Sequence, residues 1–555
     1  EALSWTHDRH QIKIGGEWRS SEMTDSWGDS RSGAFNFNDV ATGSGYAVAA
    51  LLLGWTNSVS VNSGITDTRM NYFAGYIQDD WKVTPRLTLN IGLRWDMDTP
   101  RSEAHNHQSG FDPTAINPVS GTPGAITYAG KDGVSVYAHR FDTNNFSPRF
   151  GLAWRPVGDK FVIRAAYGLM FGPIYDDSLS RANVTGFGDV RQFQSSNNGL
   201  TPALILSSGV PGPSTASPGP GFGAVPVGQA TTTSPDFYLT DQRAPYSHQF
   251  NLTLQRQIFG TMLLEGAYIG NLSHDVGARD TNVNEIRPEL RGAVQDQRFR
   301  PFPQYSNVIL RGPNWGNSSY HAMTLKAEKR FSRGLNLLTT YTWSKFIDDV
   351  EAANEGGGAP GNGQQSYYAR HLDKSLSGND IRHRWASSAV YELPFHLENK
   401  MSNAFIGGWS LGVIGELRSG RPYGVVEQTN RLNAFSASQR PNVTGDPSLP
   451  SDRPRSELIQ QWFNTSAFVF PGNGVIGNAA RNIGIGPGAI NVDVSLMKVF
   501  HISEGTFFQL RAESYNAINR PNFGLPNGQQ GSAAFGTISS ADDGRQIQLG
   551  LKLVF

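Results

Sequence analysis

The residues best suited to chemistry in this chain are few and scattered. His7 and His10 flank a tight turn, Asp8-Arg9, and two imidazoles so placed could begin a metal site. Zinc asks for three or four protein ligands, and no third stands nearby in the sequence, so a solvated turn is favoured. Asp348, Asp349, Glu351 and Glu355 lead into a glycine run, Gly356-Gly357-Gly358. Carboxylates on a flexible loop suit calcium, but the spacing matches no EF-hand, and a solvated acidic loop is favoured. Gly219-Pro220-Gly221-Phe222-Gly223-Ala224 resembles a nucleotide loop in its glycines alone; it has no strand before it and no helix after it. No G-x-S-x-G, H-E-x-x-H or Walker motif occurs. There is no cysteine, which removes disulfides, thiol catalysis and cysteine metal sites. The chain therefore reads as a protein that is not an enzyme and holds no metal or cofactor.

What is left is binding chemistry. Arg94, Arg164, Lys326, Glu328, Glu416, Arg418, Arg511 and Glu513 stand in alternating segments, mostly on the side opposite the apolar residues. If those segments cross a bilayer, a charge on the lipid side costs about 2–4 kcal/mol at the midplane. Arg94, Arg164, Arg418, Arg511 and Glu513 are therefore candidates to face a lumen. There they would form a stiffening ion-pair network or line a substrate path, the first being the commoner use. Trp315, Tyr367, Tyr368 and Trp462, in long connections, could stack on sugars or rings or pin the loops to one another.

The elements that position these groups are β-strands. In the last nine residues Ile547, Leu549, Leu551, Leu553 and Phe555 alternate with Gln548, Gly550, Lys552 and Val554. A period of two means a strand with one apolar face. Leu87 to Asp98 repeats the pattern, with Leu89, Ile91, Leu93, Trp95 and Met97 on one side. Further alternation predicts strands at 1–6, 11–22, 72–83, 149–155, 161–171, 250–255, 262–271, 321–331, 335–343, 384–393, 409–419, 491–500 and 507–516. That makes about 15 strands, near the 9–11 residues a tilted membrane strand needs.

Composition agrees. The 555 residues include 62 glycines and 31 prolines, only 17% are charged and 38% hydrophobic, yet 11% are aromatic. Zero net charge gives no sign of a nucleic-acid surface. The longest apolar run, Tyr46 to Trp55, is too short for a spanning helix, which needs about 20 residues. Connections alternate between tight ones and long ones at roughly 23–68, 99–146, 172–246, 272–319, 348–380, 420–488 and 517–543. An up-and-down barrel has this parity, with short periplasmic turns and long extracellular loops; a soluble sandwich has no reason for it. Trp81, Trp154, Phe161, Phe259, Phe331, Phe395, Phe500, Phe507 and Phe555 fall beside the tight turns, and Trp95, Tyr268, Tyr341 and Trp343 near the far ends, as two interfacial belts. The stretch from Pro211 to Gly223 is too poor in apolar residues to build a core of its own and is expected to be a mobile extracellular loop.

Tyr76-Ile77-Gln78-Asp79-Asp80-Trp81, followed by Leu87-Thr88-Leu89-Asn90-Ile91-Gly92-Leu93-Arg94-Trp95, resembles a signature of TonB-dependent receptors. Ser147-Pro148-Arg149-Phe150-Gly151, Tyr341-Thr342-Trp343-Ser344-Lys345, Arg382-His383-Arg384-Trp385, Gly420-Arg421-Pro422-Tyr423, and Arg511-Ala512-Glu513-Ser514-Tyr515-Asn516 leading into Asn519-Arg520-Pro521-Asn522-Phe523 resemble the Oar-like branch. The resemblance implies an all-β transmembrane antiparallel barrel of about 22 strands in the outer membrane of a Gram-negative bacterium. It also implies an N-terminal plug and a periplasmic segment that engages TonB. The chain begins at Glu1, with a first strand running toward the periplasm. Residues 1–555 are thus expected to be part of the barrel domain, without the plug or the TonB-binding segment. The implied function is import of a scarce or bulky nutrient: an iron chelate, cobalamin, an oligosaccharide or a peptide. Implied partners are outer-membrane lipid, the TonB system through the missing N-terminal region, the barrel-assembly machinery reading Phe555, and the substrate. Alternatives are a structural, adhesive or export-related barrel, or a passive porin.

Overall fold

The computed structural model describes all residues except 175–183, 188, 196–198, 213–217, 230, 293–295, 351–363, 436–438 and 504. Its main sheet has 18 strands. Three of them, Ser102–Glu103, Asp189–Gln194 and Ser375–Leu376, are short additions at the loop end. The others form one continuous wall, each paired antiparallel with the next in the chain. They are β1 (Ala2–His7), β2 (His10–Asn36), β3 (Ser58–Thr84), β4 (Leu87–Asp98), β5 (Asn145–Trp154), β6 (Phe161–Phe171), β7 (Tyr246–Ile258) and β8 (Met262–Val276). The wall goes on through β9 (Gly316–Ser332), β10 (Leu335–Asp348), β11 (His383–Glu392), β12 (Trp409–Arg418), β13 (Ala489–His501), β14 (Phe507–Tyr515) and β15 (Gln546–Val554). Every strand expected from the alternation is there, and β4 and β6 have the expected bounds. Among the described residues no ladder joins β1 to β15.

The parity of the connections also holds. Tight turns follow β1, β3, β5, β7, β9 and β13, and the moderate link after β11 carries a short helix, Lys400–Ile406. The turn after β9 shows the local chemistry. Ser332 stands opposite Leu335, leaving two residues, Arg333 (φ 51°) and Gly334 (φ 74°), in left-handed conformation. Two consecutive positive φ values suit the right-handed twist of a hairpin, and glycine accepts one of them without strain.

One face of the wall is apolar and uncovered. Ile547, Leu549 and Leu551 are 70–75% exposed, and Trp154, Phe259, Phe331, Phe395 and Phe555 are exposed at the tight-turn end. So extensive an apolar face is unstable in water and stable in lipid.

One expectation fails. Residues 23–36 and 58–68 are not loop: β2 and β3 continue through them as a hairpin of 27-residue strands. At ~3.3 Å per residue each strand is roughly 89 Å long, far more than a bilayer crossing needs. The extension has polar residues on both faces, such as Thr24 opposite Asp67 and Asp25 opposite Thr66, so it lacks the apolar alternation that marks a strand. Its tip carries the helix Ala47–Leu52, which is the observed state of the longest apolar run.

The long loops pack on one another into a roof. Phe111, Ile126, Tyr128, Phe302, Tyr305 and Val308 form a buried cluster drawn from two connections, and Phe222, of the stretch expected to be mobile, and Ala224 just after it pack against it. Ile126 N donates to Pro220 O at 3.2 Å, tying that stretch down by its backbone. A second cluster joins Tyr423, Val425, Phe463, Ala467 and Phe468 to Leu525 and Phe535 of the last long connection. Residues 213–217 of the Gly/Pro-rich stretch lie outside the described residues, while Phe222 at its end rests on a core supplied by neighbouring connections.

Candidate functional site

Strand register decides which charges share a face, because residues directly opposite in a ladder point the same way and the side alternates along each strand. Arg94 stands opposite Ser147, Ala153 opposite Arg164, Glu265 opposite Lys326, Arg384 opposite Arg418, and Met497 opposite Arg511. Steps of two along the strands join these pairs, so Arg94, Arg164, Arg418, Arg511 and Glu513 lie on one face, opposite the apolar one.

Most of them are engaged with the wall itself. Arg94 Nε meets Asp96 Oδ1 at 2.8 Å, its Nη2 donates to the Tyr72 hydroxyl at 2.6 Å, and Glu17 lies 3.6 Å away. Arg164 donates to Gln255 at 2.7 Å, and Gln255 donates on to Glu265 at 3.3 Å. Arg511 donates to Gln509 at 3.0 Å, and Arg384 to Glu416 at 3.0 Å. Glu513 stands between Ser495 and Gln548. The Arg94–Tyr72, Arg164–Gln255, Gln255–Glu265 and Arg384–Glu416 bonds join neighbouring strands and stiffen the wall, while Arg94–Asp96 and Arg511–Gln509 lie within one strand.

Arg418 is placed differently. It lines a cleft of about 700 Å³ where β12 to β15 meet the last long connection. Around it stand Glu416, Asp493, Asp542 and Asp543, with Asn491, Asn516, Tyr515 and Gln546. The cleft holds four carboxylates to one guanidinium and is walled by amides and a phenol, chemistry that binds a polar ligand through many hydrogen bonds. Asp493 belongs to the alternating series Asn491, Asp493, Ser495, so strand reading could have found it. Asp542 and Asp543 lie in a loop with no such signal.

The loop aromatics divide. Trp315 and Tyr367 have ring centroids 6.3 Å apart, Tyr367 and Tyr368 5.2 Å, and the Arg370 guanidinium lies 3.7 Å over Trp315. Trp462 is elsewhere: it packs on the second roof cluster and donates to Ile485 O at 2.9 Å. All four hold loops together. Beneath the first three runs a line of buried ion pairs that the sequence did not reveal, Arg291 with Glu285, Arg440 with Asp373, and Arg481 with Asp348. Burial pushes the Asp373 carboxyl up to about 6 against the pull of Arg440, and pushes the Arg481 guanidinium down to about 10.

Among the described residues neither metal candidate gathers three ligands. His10 Nδ1 lies 2.7 Å from Asp79 Oδ2 and its ring stacks on Trp81 at 5.2 Å, while His7 stacks on Trp5 at 5.3 Å. Of the acidic cluster, Asp348 is paired with Arg481 and Asp349 accepts from Asn317 at 2.6 Å; Glu351, Glu355 and the glycine run lie outside the described residues. Among the described residues no three His, Asp or Glu side chains come together as a metal site.

Comparison with known proteins adds the following. A family model described as outer membrane beta barrel domain matches residues 1–548. No curated protein sequence matches. Among solved structures, the Escherichia coli outer membrane transporter YddB aligns with 100% of this chain and 53% of its own, at 11% identity and a TM-score of 0.51. The Neisseria meningitidis iron transporter FrpB aligns with 100% of this chain and 54% of its own, at 12% identity and a TM-score of 0.44. The Yersinia pestis ferric yersiniabactin uptake receptor FyuA aligns with 100% and 57%, at 10% identity and a TM-score of 0.40. The chain thus spans about half the length of the solved structures it matches.

Proposed function

The chain belongs to the outer membrane beta barrel domain family, and from that membership we propose that it is the wall and roof of an energised, TonB-dependent importer. Its place is the bacterial outer membrane. The observation that carries the reading is the roof: long connections, two hydrophobic clusters and a line of buried ion pairs make a built receptor surface at the outer end. A passive pore needs an open mouth there. The polar face and its acid-rich cleft give a wet route behind that surface. The ordered motifs from Tyr76 to Phe523 support the same reading, as does the name of YddB. In this role the protein binds and gates and performs no covalent chemistry. A plug and a TonB-engaging segment would come from sequence other than these strands, and the substrate would be an iron chelate, cobalamin, an oligosaccharide or a peptide.

The test is growth on each of those four nutrient classes as the limiting source, in strains lacking the gene, lacking TonB, or lacking neither. Import requires that one class fail in both deletion strains. Uptake that needs the gene but not TonB would make the protein a porin. Adhesion is favoured by a separate feature, the tip of the β2–β3 hairpin, where Tyr46, Val48, Leu51, Leu52 and Leu53 are exposed. It would gain if no nutrient class responded and deletion of residues 37–57 abolished surface attachment.

A further inference from the structure

Three tyrosine–histidine pairs recur on the apolar face. Tyr167 of β6 bonds His248 of β7 at 2.9 Å, Tyr268 of β8 bonds His321 of β9 at 2.8 Å, and Tyr341 of β10 bonds His383 of β11 at 2.8 Å, each from the phenol to Nδ1. Each tyrosine is the seventh residue of a strand that rises from a tight turn, counted from Phe161, Met262 and Leu335. The pairs therefore sit at one height. About 10 residues cross a tilted membrane strand, so that height is the outer half of the bilayer, and the histidines reach its headgroup level.

Register makes the pattern continuous. Tyr167, Phe250, Gly270, His321 and Lys345 stand opposite one another in a single row, with Tyr268, Met323, Trp343 and His383 in the row beneath. Gly270 is needed in the row, since a Cβ there would lie 2.3 Å from the Phe250 ring. His274 joins the group: its ring centroid is 5.2 Å from that of Tyr246, and its Nδ1 is 2.9 Å from Asn317 Oδ1. Among the described residues none of the four Nε2 atoms has a hydrogen-bond partner. Lys345 is exposed beside His321, Asp275 follows His274 in the chain, and the Asp349 carboxylate accepts from Asn317 at the upper edge.

Interfacial tyrosines alone would need only water and headgroup contacts. Imidazoles fixed through Nδ1, with Nε2 left over and an ammonium among them, ask for an anion. We propose that this face binds the phosphorylated headgroup of an outer-leaflet lipid, the phosphate oxygens accepting from the Nε2–H groups of His248, His321 and His383 and from Lys345 Nζ. With each phenol donating to Nδ1, Nε2 carries the ring proton and donates outward. The site is separate from the lumen and does not depend on import.

The protein is extracted from outer membranes in mild detergent and exchanged into phosphatidylcholine vesicles doped with either bisphosphorylated or dephosphorylated lipid A. Retained lipid is counted by mass spectrometry. Wild type should retain the phosphorylated form about tenfold over the other, the equivalent of one charge-assisted contact. A His321→Gln, His383→Gln, Lys345→Gln variant should lose that preference while keeping its heat-modifiable mobility on gels. Lys345→Gln alone, which leaves every Tyr–His bond in place, should fall between. Equal retention of the two lipids by wild type, or an unchanged preference in Lys345→Gln, overturns the proposal. Release of the lipid by millimolar inorganic phosphate would make this a free-anion site and overturn it too.

Discussion

Glu103 shows how one side chain can set a loop. It is 3% exposed, and its carboxylate accepts from the backbone N–H groups of Asp67 at 3.0 Å, His105 at 2.8 Å and His107 at 2.7 Å. Burial alone would push the carboxyl up; three amide donors outweigh it and hold it below the usual glutamate range. A carboxyl depressed in the folded state contributes stability above its unfolded value, ~4.3, and loses it as pH falls through the folded value. As pH falls below the ordinary glutamate value and through the lower folded one, the amides of Asp67, His105 and His107 should lose protection against hydrogen exchange, measured relative to the intrinsic rate at each pH. In Glu103→Gln those amides should exchange faster at neutral pH and show no such acid step; an acid step of the same size in the variant would refute the assignment. No sequence signal points to Glu103, because its partners lie as far off as Asp67. The same distance hid Asp79 from His10. Arg94, Arg164, Arg418, Arg511 and Glu513, by contrast, could be placed on one face from alternation alone, since side along a strand is a local property.

At the scale of elements, legibility followed the bilayer. Strands were readable where one face meets lipid and the other water, and unreadable where both faces are wet, as in the outer halves of β2 and β3. β15 allows a direct check. Leu549 and Gln548 are adjacent but point to opposite faces, Leu549 standing opposite Ala512 and Gln548 opposite Glu513. Arginine on the lipid face costs about 2–4 kcal/mol near the midplane and much less on the polar one. Leu549→Arg should sharply reduce the yield of folded protein in isolated outer membranes. Gln548→Arg, beside a carboxylate, should leave it near wild type. Equal yields would mean that the two faces have been assigned wrongly.

At the scale of the whole molecule, wall and roof are built on different physics, and this is why the roof was not legible. Wall strands announce themselves by period; roof contacts are made by Phe111, Phe302, Phe463 and Phe535, isolated aromatics in Gly- and Pro-rich loops that meet only after the wall has brought the loops together. A roof held by its own clusters and ion pairs should open without the wall. Arg440 is the place to test this. Its side chain is fully buried, pairs with Asp373, and donates to the carbonyls of Leu372 and Ala479 at 3.1 Å, so it fastens two long connections to each other. Arg440→Met keeps most of the volume but leaves the Asp373 carboxyl buried and unpaired, a change that costs about 3–5 kcal/mol in buried pairs. The open population of the roof should rise by roughly two to three and a half orders of magnitude, and proteolysis within residues 364–382 and 419–488 should quicken in proportion where reclosing outpaces cleavage. The wall, joined by ladders that Arg440 does not touch, should keep its heat-modifiable mobility. Adding Asp373→Asn should recover part of the loss, because it removes the stranded charge. If wall and roof instead fail together in Arg440→Met, the two are one cooperative unit, and gating by movement of the roof alone would have to be given up.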